Sequence, residues 1–485
     1  MSQKTSSLLK NLSVMTLSVG FTQIFALLLK SQMPRILGVE KMGIFTFAES
    51  QAVLFFAFLP LGLTTYINRH VPPKPDHIKD ILWTVMGVQI VMGIVIAAAL
   101  FASLVFRGID TLTIMVTMIL GLQFAFFTFN RDILQNIYII LGEISMVSRL
   151  NMAVKLILVG GSMAVLYTSP SLVGVAIMHF VSEASSGAYL IYKSFKHNFV
   201  RVTLGAPYLK TMLKFSLPFY FASVLNGIYG QIDITMLERL TTKIEIGYFG
   251  AAWKIIGIGL VLVPIFQNLV TPVLSQAQGR ADGSFAVLIK EYLHILIVAC
   301  LPLAVGLILF GDTIASIING PAFDVSHRTL AYLTPVLLMM YLNTFVGSCL
   351  YLASSGQRLS IIFIIGCLIN VILDTFLIPW GLAHFGVGGA GIAVSFSTFL
   401  CESYVFFAML FMLPQRIISG RFIWNCLIIF LPCWLGIFFH DAMIPIPIWE
   451  RLLIFPLVIP YAIVTGLLTR RDMQEIKTLL AKKRL

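Results

Sequence analysis

The sequence predicts an all-α polytopic membrane protein. It has about 14 transmembrane helices, arranged as two six-helix lobes that are parallel repeats, plus two C-terminal helices. Three observations predict this. First, hydrophobic residues make up 58% of the 485 and charged residues only 11%, with a mean hydropathy of +0.94; soluble domains carry about 25% charged residues. Second, apolar runs of about 18 residues or more, enough to cross a hydrocarbon core of about 30 Å, recur along the chain. Third, a string near the N-terminus has an echo. Arg35-Ile36-Leu37-Gly38 leads to Gly43-Ile44-Phe45-Thr46-Phe47-Ala48, and Arg239 leads to Gly247-Tyr248-Phe249-Gly250-Ala251-Ala252 at a constant offset of 204 residues. Hydrophobic helices flank the same turn in both places, as an internal duplication requires.

The expected spans, in order, are 12–33, 43–66, 80–106, 111–129, 147–167, 172–192, 214–237, 246–274, 287–310, 329–353, 359–380, 388–412, 422–440 and 451–469. Lys4 and Lys10 precede the first, with no small-residue cleavage site after it, so that helix is read as retained. The fourth and fifth surround a further apolar piece between Asn130 and Glu143, which is alternatively an amphipathic cytoplasmic helix. An N-terminus inside puts 23 of the 33 Lys and Arg in inside segments and eight outside. That bias orients both termini to the cytoplasm. The basic loop 193–213 separates six spans from the next six, and six being even, both halves enter from the same side. The expected domains are 1–205 and 206–412, each a six-helix lobe, and 413–485, two appended helices with a basic tail. In the tail, Met473, Ile476 and Leu480 share a helical face that suits the inner membrane surface; a solvated tail is the alternative.

The net charge of +12 fits loops beside anionic lipid rather than nucleic acid. All six cysteines lie in apolar segments without a CxxC pair, so neither a disulfide framework nor a metal site is expected. No Walker motif is present, and Asp312, Asp324 and His327 in the outer loop 311–328 show no catalytic spacing. An enzyme is not expected, nor is a cofactor. Gly386-Val387-Gly388-Gly389-Ala390-Gly391 matches GxGxxG, but it follows a membrane span rather than a strand. Its glycines suit a tight turn and close helix packing.

Charges inside spans cost roughly 2.5–3.5 kcal/mol each on insertion scales, so they mark candidate sites. Lys155 and Lys254, with Lys30 and Arg35 near a helix end, are the candidates for binding an anionic substrate in a cavity; snorkelling to the interface is the alternative. Glu49, Glu183, Asp233, Asp374 and Glu402 are the candidates for coupling to a cation gradient, with Asp233 and Asp374 leading. Neutralisation of neighbouring bases is the other reading. Asn226 with Asp233, Asn370 with Asp374, and Ser395, Thr398 and Glu402 have spacings that place them on shared helix faces. Pro218, Pro264, Pro302, Pro335, Pro432 and Pro456 bend their spans, for movement or merely for packing.

Leu213 to Lys254 contains FSLP, a later Asp233 and IGYFGAAWK; the opening patch is RILGVEKMGIF; Asn370 to Thr398 contains NVILDTFLIPWG and GVGGAGIAVSFST. These three patches resemble the polysaccharide transport family, whose members include O-antigen flippases. The resemblance implies membership of the multidrug/oligosaccharidyl-lipid/polysaccharide exporter superfamily. It implies alternating access by a V-shaped pair of lobes that carries a polyprenyl-pyrophosphate-linked oligosaccharide from the inner to the outer leaflet of the bacterial inner membrane. The implied partners are that substrate, membrane lipids, and polysaccharide polymerase or chain-length machinery for lipopolysaccharide. Flipping of a lipid II-type peptidoglycan precursor and cation-coupled multidrug export are the alternatives. Lipid II flippases carry several arginines in the N-terminal lobe's interior, where this chain has chiefly lysines.

Overall fold

Glycine at position 38 breaks the first long apolar stretch into two helices. In a computed structural model, α1 runs Ser2–Phe56, with Gly38 alone leaving helical geometry at φ 79° and ψ 175°. A positive φ is strained for any residue with a Cβ, so this bend belongs to glycine. The structure describes residues 2–60, 78–125, 129–196, 210, 220–221, 224–260, 262–280, 283–353, 357–413, 420–441 and 447–468. Pro218, most of the 193–213 loop and the tail helix lie outside these residues.

The elements that follow are α2 (Ile78–Phe106), α3 (Thr111–Gln123), α4 (Phe129–Ile140), α5 (Ile144–Thr168), α6 (Leu172–Lys196), α7 (Ile232–Leu240), α8 (Lys243–Gly259) and α9 (Leu262–Arg280). Then come α10 (Ser284–Asn319), α11 (Ser326–Ala353), α12 (Gln357–Phe385), α13 (Gly389–Met412), α14 (Gly420–Asp441), α15 (Ile448–Ile454) and α16 (Val458–Val464). No strand occurs among the described residues. Among the described residues six helices are long and apolar enough to cross a membrane, including Ser284–Asn319 and Arg358–Phe385, and shorter apolar helices occur at Thr111–Gln123 and Trp424–Phe439. The chain is an all-helical multi-pass membrane protein.

Several expected spans differ in detail, each for a local reason. The stretch 246–274 is two helices, α8 and α9. Pro264 sits in the first turn of α9, where its missing N–H costs nothing, and so starts a helix rather than bending one. Pro302, Pro335 and Pro432 do lie inside α10, α11 and α14. The final stretch is interrupted by a 3-10 turn, Phe455–Leu457, that contains Pro456. The piece between the fourth and fifth spans is a separate helix, α4. Much of the expected outer loop 311–328 is helical, because α10 continues to Asn319 and α11 starts at Ser326.

The chain divides into two compact units at Gly250, within α8. Unit 1 is Met1–Gly250 with Ile318–Ala322; unit 2 is Ala251–Ile317 with Phe323–Leu485. In unit 1, α1 packs on α5 and α3, and α6 packs on α5, α3 and α4. In unit 2, α13 packs on α11 and α12, and α11 packs also on α9 and α14.

The echoed strings meet inside unit 1. A Cβ on Gly43 would run into the backbone carbonyl of Lys243, and one on Gly247 into the carbonyl of Val39. Val39 and Lys243, like Gly43 and Gly247, are 204 residues apart. The contact is therefore reciprocal, each segment setting a glycine against the other's backbone carbonyl. The GxGxxG string also behaves as packing: Gly386 and Gly388 have φ 66° and 84°, and Cβ atoms on Gly381 and Gly389 would each strike the other's carbonyl.

Candidate functional site

In unit 1, four helices bring full charges together. Lys155 on α5 has Lys30 and Glu49 of α1 and Glu183 of α6 as electrostatic neighbours. Glu183 accepts from Nη1 of Arg131 on α4 at 2.6 and 2.5 Å, and Arg131 also donates from Nη2 to Asp132 at 3.0 Å. Lys30, Lys155 and Glu183 are half-buried, while Glu49 is exposed. Helix α4 supplies this arginine because its polar residues share one face: Gln135, one turn along, donates to Asn151 of α5 at 2.9 Å. The ring of His179, one turn from Glu183, lies 5.6 Å from that of Phe45. Arg35 stands apart, exposed, with its aliphatic stem over Gly320.

A second set of charges in unit 1 joins two turns. Arg107, at the end of α2, pairs with Glu238 of α7 and donates to Gln51 at 3.0 Å, and Gln51 donates to Thr235 at 3.0 Å. Lys243, opening α8, pairs with Asp110, which also caps α3 by accepting from the Thr113 N–H at 3.2 Å. Burial alone would raise the Asp110 pKa, but hydrogen bonds from Lys243 and Thr113 and the lysine charge together hold the carboxyl below its ordinary value. Asp233 is buried in the first turn of α7. Asn226 is exposed, and residues 230–231 form a turn between the two, so their seven-residue spacing does not make a shared helical face.

Unit 2 holds its acids differently. Asp374 on α12 is 0% exposed and accepts from the hydroxyl of Ser397 on α13. Glu402, also buried on α13, accepts from the Asn343 side chain of α11 at 2.5 Å, and that amide donates to the Glu402 carbonyl at 2.9 Å as well. Asn370 is buried one turn from Asp374. Ser395 and Thr398 bond back to carbonyls of their own helix, at 2.6 and 2.7 Å. Among the described residues no group of three His, Cys, Asp or Glu side chains is spaced to hold a metal ion. Lys254 is half-buried on the unit 2 part of α8.

The sequence reading missed Arg131, Asn343 and Ser397. Arg131 does not stand out in the sequence because α4 is too short and too polar to register as a span. Asn343 was legible in principle, as a lone amide within an apolar helix.

A family model for the polysaccharide biosynthesis protein family matches residues 8–278, more than half of the chain. The chain belongs to that family. No curated protein sequence matches it. Solved structures give the same fold for this family member. The lipid II flippase MurJ in an inward closed conformation is 16% identical, over 95% of this chain and 99% of that one, at a TM-score of 0.66. An inward-facing multidrug resistance MATE family transporter of the MOP superfamily is 14% identical, over 81% and 93%, at 0.59. A MOP superfamily transporter from Pyrococcus furiosus is 16% identical, over 83% and 94%, at 0.56. The family is one of polysaccharide biosynthesis, and these neighbours share the fold of its member described here.

Proposed function

We propose that this family member flips a polyprenyl-pyrophosphate-linked oligosaccharide from the inner to the outer leaflet of the bacterial inner membrane, by alternating access, for a cell-surface polysaccharide of the O-antigen kind. The observation that carries the reading is the cluster of Lys155, Lys30 and Arg131 among the helices of unit 1. A pyrophosphate entering a low-dielectric interior needs positive charge nearby, and lysine offers an adaptable point charge. Arg131 joins the sequence-derived candidates, and Lys254 serves the same purpose in unit 2. Arg35, exposed over Gly320, is the weakest of the set. The termini and the 193–213 loop are cytoplasmic, a placement that reporter fusions at those points test.

Transport is coupled to a cation gradient through carboxylates, chiefly buried Asp374 and Asp233, with buried Glu402, half-buried Glu183 and exposed Glu49 as further candidates. A charge held inside a bilayer protein marks an ion or proton path. Flipping into proteoliposomes tests the whole reading, using lipid-linked oligosaccharide and lipid II as separate substrates. Movement of the oligosaccharide that stops when the cation gradients collapse supports it. The MurJ likeness over 95% of the chain favours lipid II as a second reading, and exclusive movement of lipid II would establish that reading instead.

A further inference from the structure

Unit 2 contains a cavity of about 400 Å³ that is separate from its buried carboxylates. It lies between α10, α11, α14 and α15, and its size is in the ordinary range for a small-molecule site, about 300–1,000 Å³. One end is polar. Arg451 Nη1 lies 2.6 Å from both oxygens of Asp312 and donates to the Leu309 carbonyl at 3.0 Å; His327 lines the same cavity. These three residues fall in the first or last two turns of their helices. The remainder is apolar and reaches deeper. Val305 lies seven residues inside Asp312 on α10, a rise of about 10 Å, and Ala331 lies one turn inside His327 on α11.

We infer that this cavity holds a zwitterionic phospholipid of the surrounding bilayer, with its phosphoethanolamine head at Asp312, Arg451 and His327 and one acyl chain in the apolar trough. Three features select that occupant. The charged groups sit at helix ends and the apolar walls run inward, matching a lipid's head and tail along the membrane normal. Phe439 and Ile454 line the cavity and are themselves exposed, in continuity with exposed Phe438, Leu452 and Leu453, so the trough opens onto the lipid-facing surface. In the Asp312–Arg451 pair the carboxylate is the more open partner, 40% exposed against 17%. A half-open carboxylate beside a guanidinium suits a head that carries both an ammonium and a phosphate. The lipid fastens the last helices to α10 and α11 and takes no part in the unit 1 charge cluster.

Native mass spectrometry of the full chain tests this. The detergent-purified protein is exchanged into mixtures of phosphatidylethanolamine, phosphatidylglycerol and phosphatidylcholine with identical acyl chains. A phosphatidylethanolamine adduct that survives washing while the other two are removed is expected. Equal retention of all three, or displacement of the adduct by polyprenyl phosphate, overturns the inference. Ala331→Phe, which fills the trough, should abolish the adduct in protein that remains monodisperse. Asp312→Asn should keep a lipid but lose the preference for ethanolamine over glycerol. An unchanged adduct in both variants also overturns the inference, and the wild-type competition decides it where a variant fails to fold.

Discussion

Unit 1 and unit 2 both place ionisable groups among apolar helices, but they treat them in opposite ways. In unit 1 the cluster holds charged groups of both signs: half-buried Lys155 with half-buried Lys30 and Glu183 and exposed Glu49, and Arg131 clamped between Glu183 and Asp132. In unit 2 the acids are deeper, and Asp374 accepts from a hydroxyl and Glu402 from an amide. A set of mobile, mutually compensating charges can exchange an internal carboxylate for an anionic ligand. A buried carboxylate inside a bilayer protein can instead take up a cation or a proton. Under the proposed function the Lys155 cluster serves substrate recognition and the unit 2 acids serve coupling, with buried Asp233 the coupling candidate that unit 1 contributes.

The largest expected effect comes from breaking the first half of that contrast. Lys155→Ala should insert normally and lose flipping, while Lys155→Arg keeps part of it. A hydrogen bond to a charged group contributes about 1.5–3 kcal/mol, so apparent substrate affinity should fall about tenfold or more. Binding of a pyrophosphate-bearing substrate to purified protein measures it. Full glycan export by a Lys155→Ala, Lys254→Ala double variant at normal expression would dismiss the cationic-site reading.

Replacement of Glu402 by Ala sharpens the second half. It leaves the buried Asn343 amide with one acceptor fewer, at a cost of about 1–3 kcal/mol, whereas Glu402→Gln retains an acceptor for that amide. The thermal midpoint in detergent should fall for the alanine variant and stay near wild type for the glutamine one. Glu183→Gln, on half-open unit 1, should change stability less than Glu402→Ala and change transport more. If the two acids proved interchangeable in both measurements, the division of roles between the units would fail.

The sequence made the membrane class and the all-helical fold legible because each rests on periodicity and composition. Its charge-in-span rule also found most of both clusters, Lys155 and Glu183 in one, Asp374 and Glu402 in the other. It did not find Arg131, because a residue reads as a loop charge when its helix is only twelve residues long. Nor did it find Ser397, since nothing local distinguishes that serine from Ser395 and Thr398, which bond back to their own backbone. The Asn226–Asp233 spacing misled because period alone does not reveal the turn at 230–231. By contrast, the 204-residue echo carried more than it promised, since Gly43 and Gly247 turn out to occupy reciprocal places in one helix crossing. Gly43→Ala and Gly247→Ala should therefore lower the thermal midpoint by similar amounts. Overpacking costs about 1–3 kcal/mol, partly offset by about 1 kcal/mol of better helix propensity. A clear loss from one and none from the other would break the symmetry.

The smallest expected effect separates the exposed charges of unit 1 from its half-buried ones. Asp110 joins the α2–α3 turn to Lys243 at the head of α8, and the pair is open to water on both sides. Its hydrogen bonds keep the carboxyl below the ordinary aspartate value of 3.8. A depressed carboxylate pKa gives a contribution that is complete above the unfolded value and is lost as pH falls through the folded one. The Lys243–Asp110 link should thus be unchanged from neutral pH down to about the ordinary value, and disappear only below it. Exposed pairs are worth little because solvent and salt screen them. Asp110→Asn should shift the thermal midpoint slightly at neutral pH and low salt. That shift should vanish in high salt and shrink below the ordinary aspartate value. A salt-independent loss would instead mean that Asp110 acts through its cap on Thr113 rather than through the lysine.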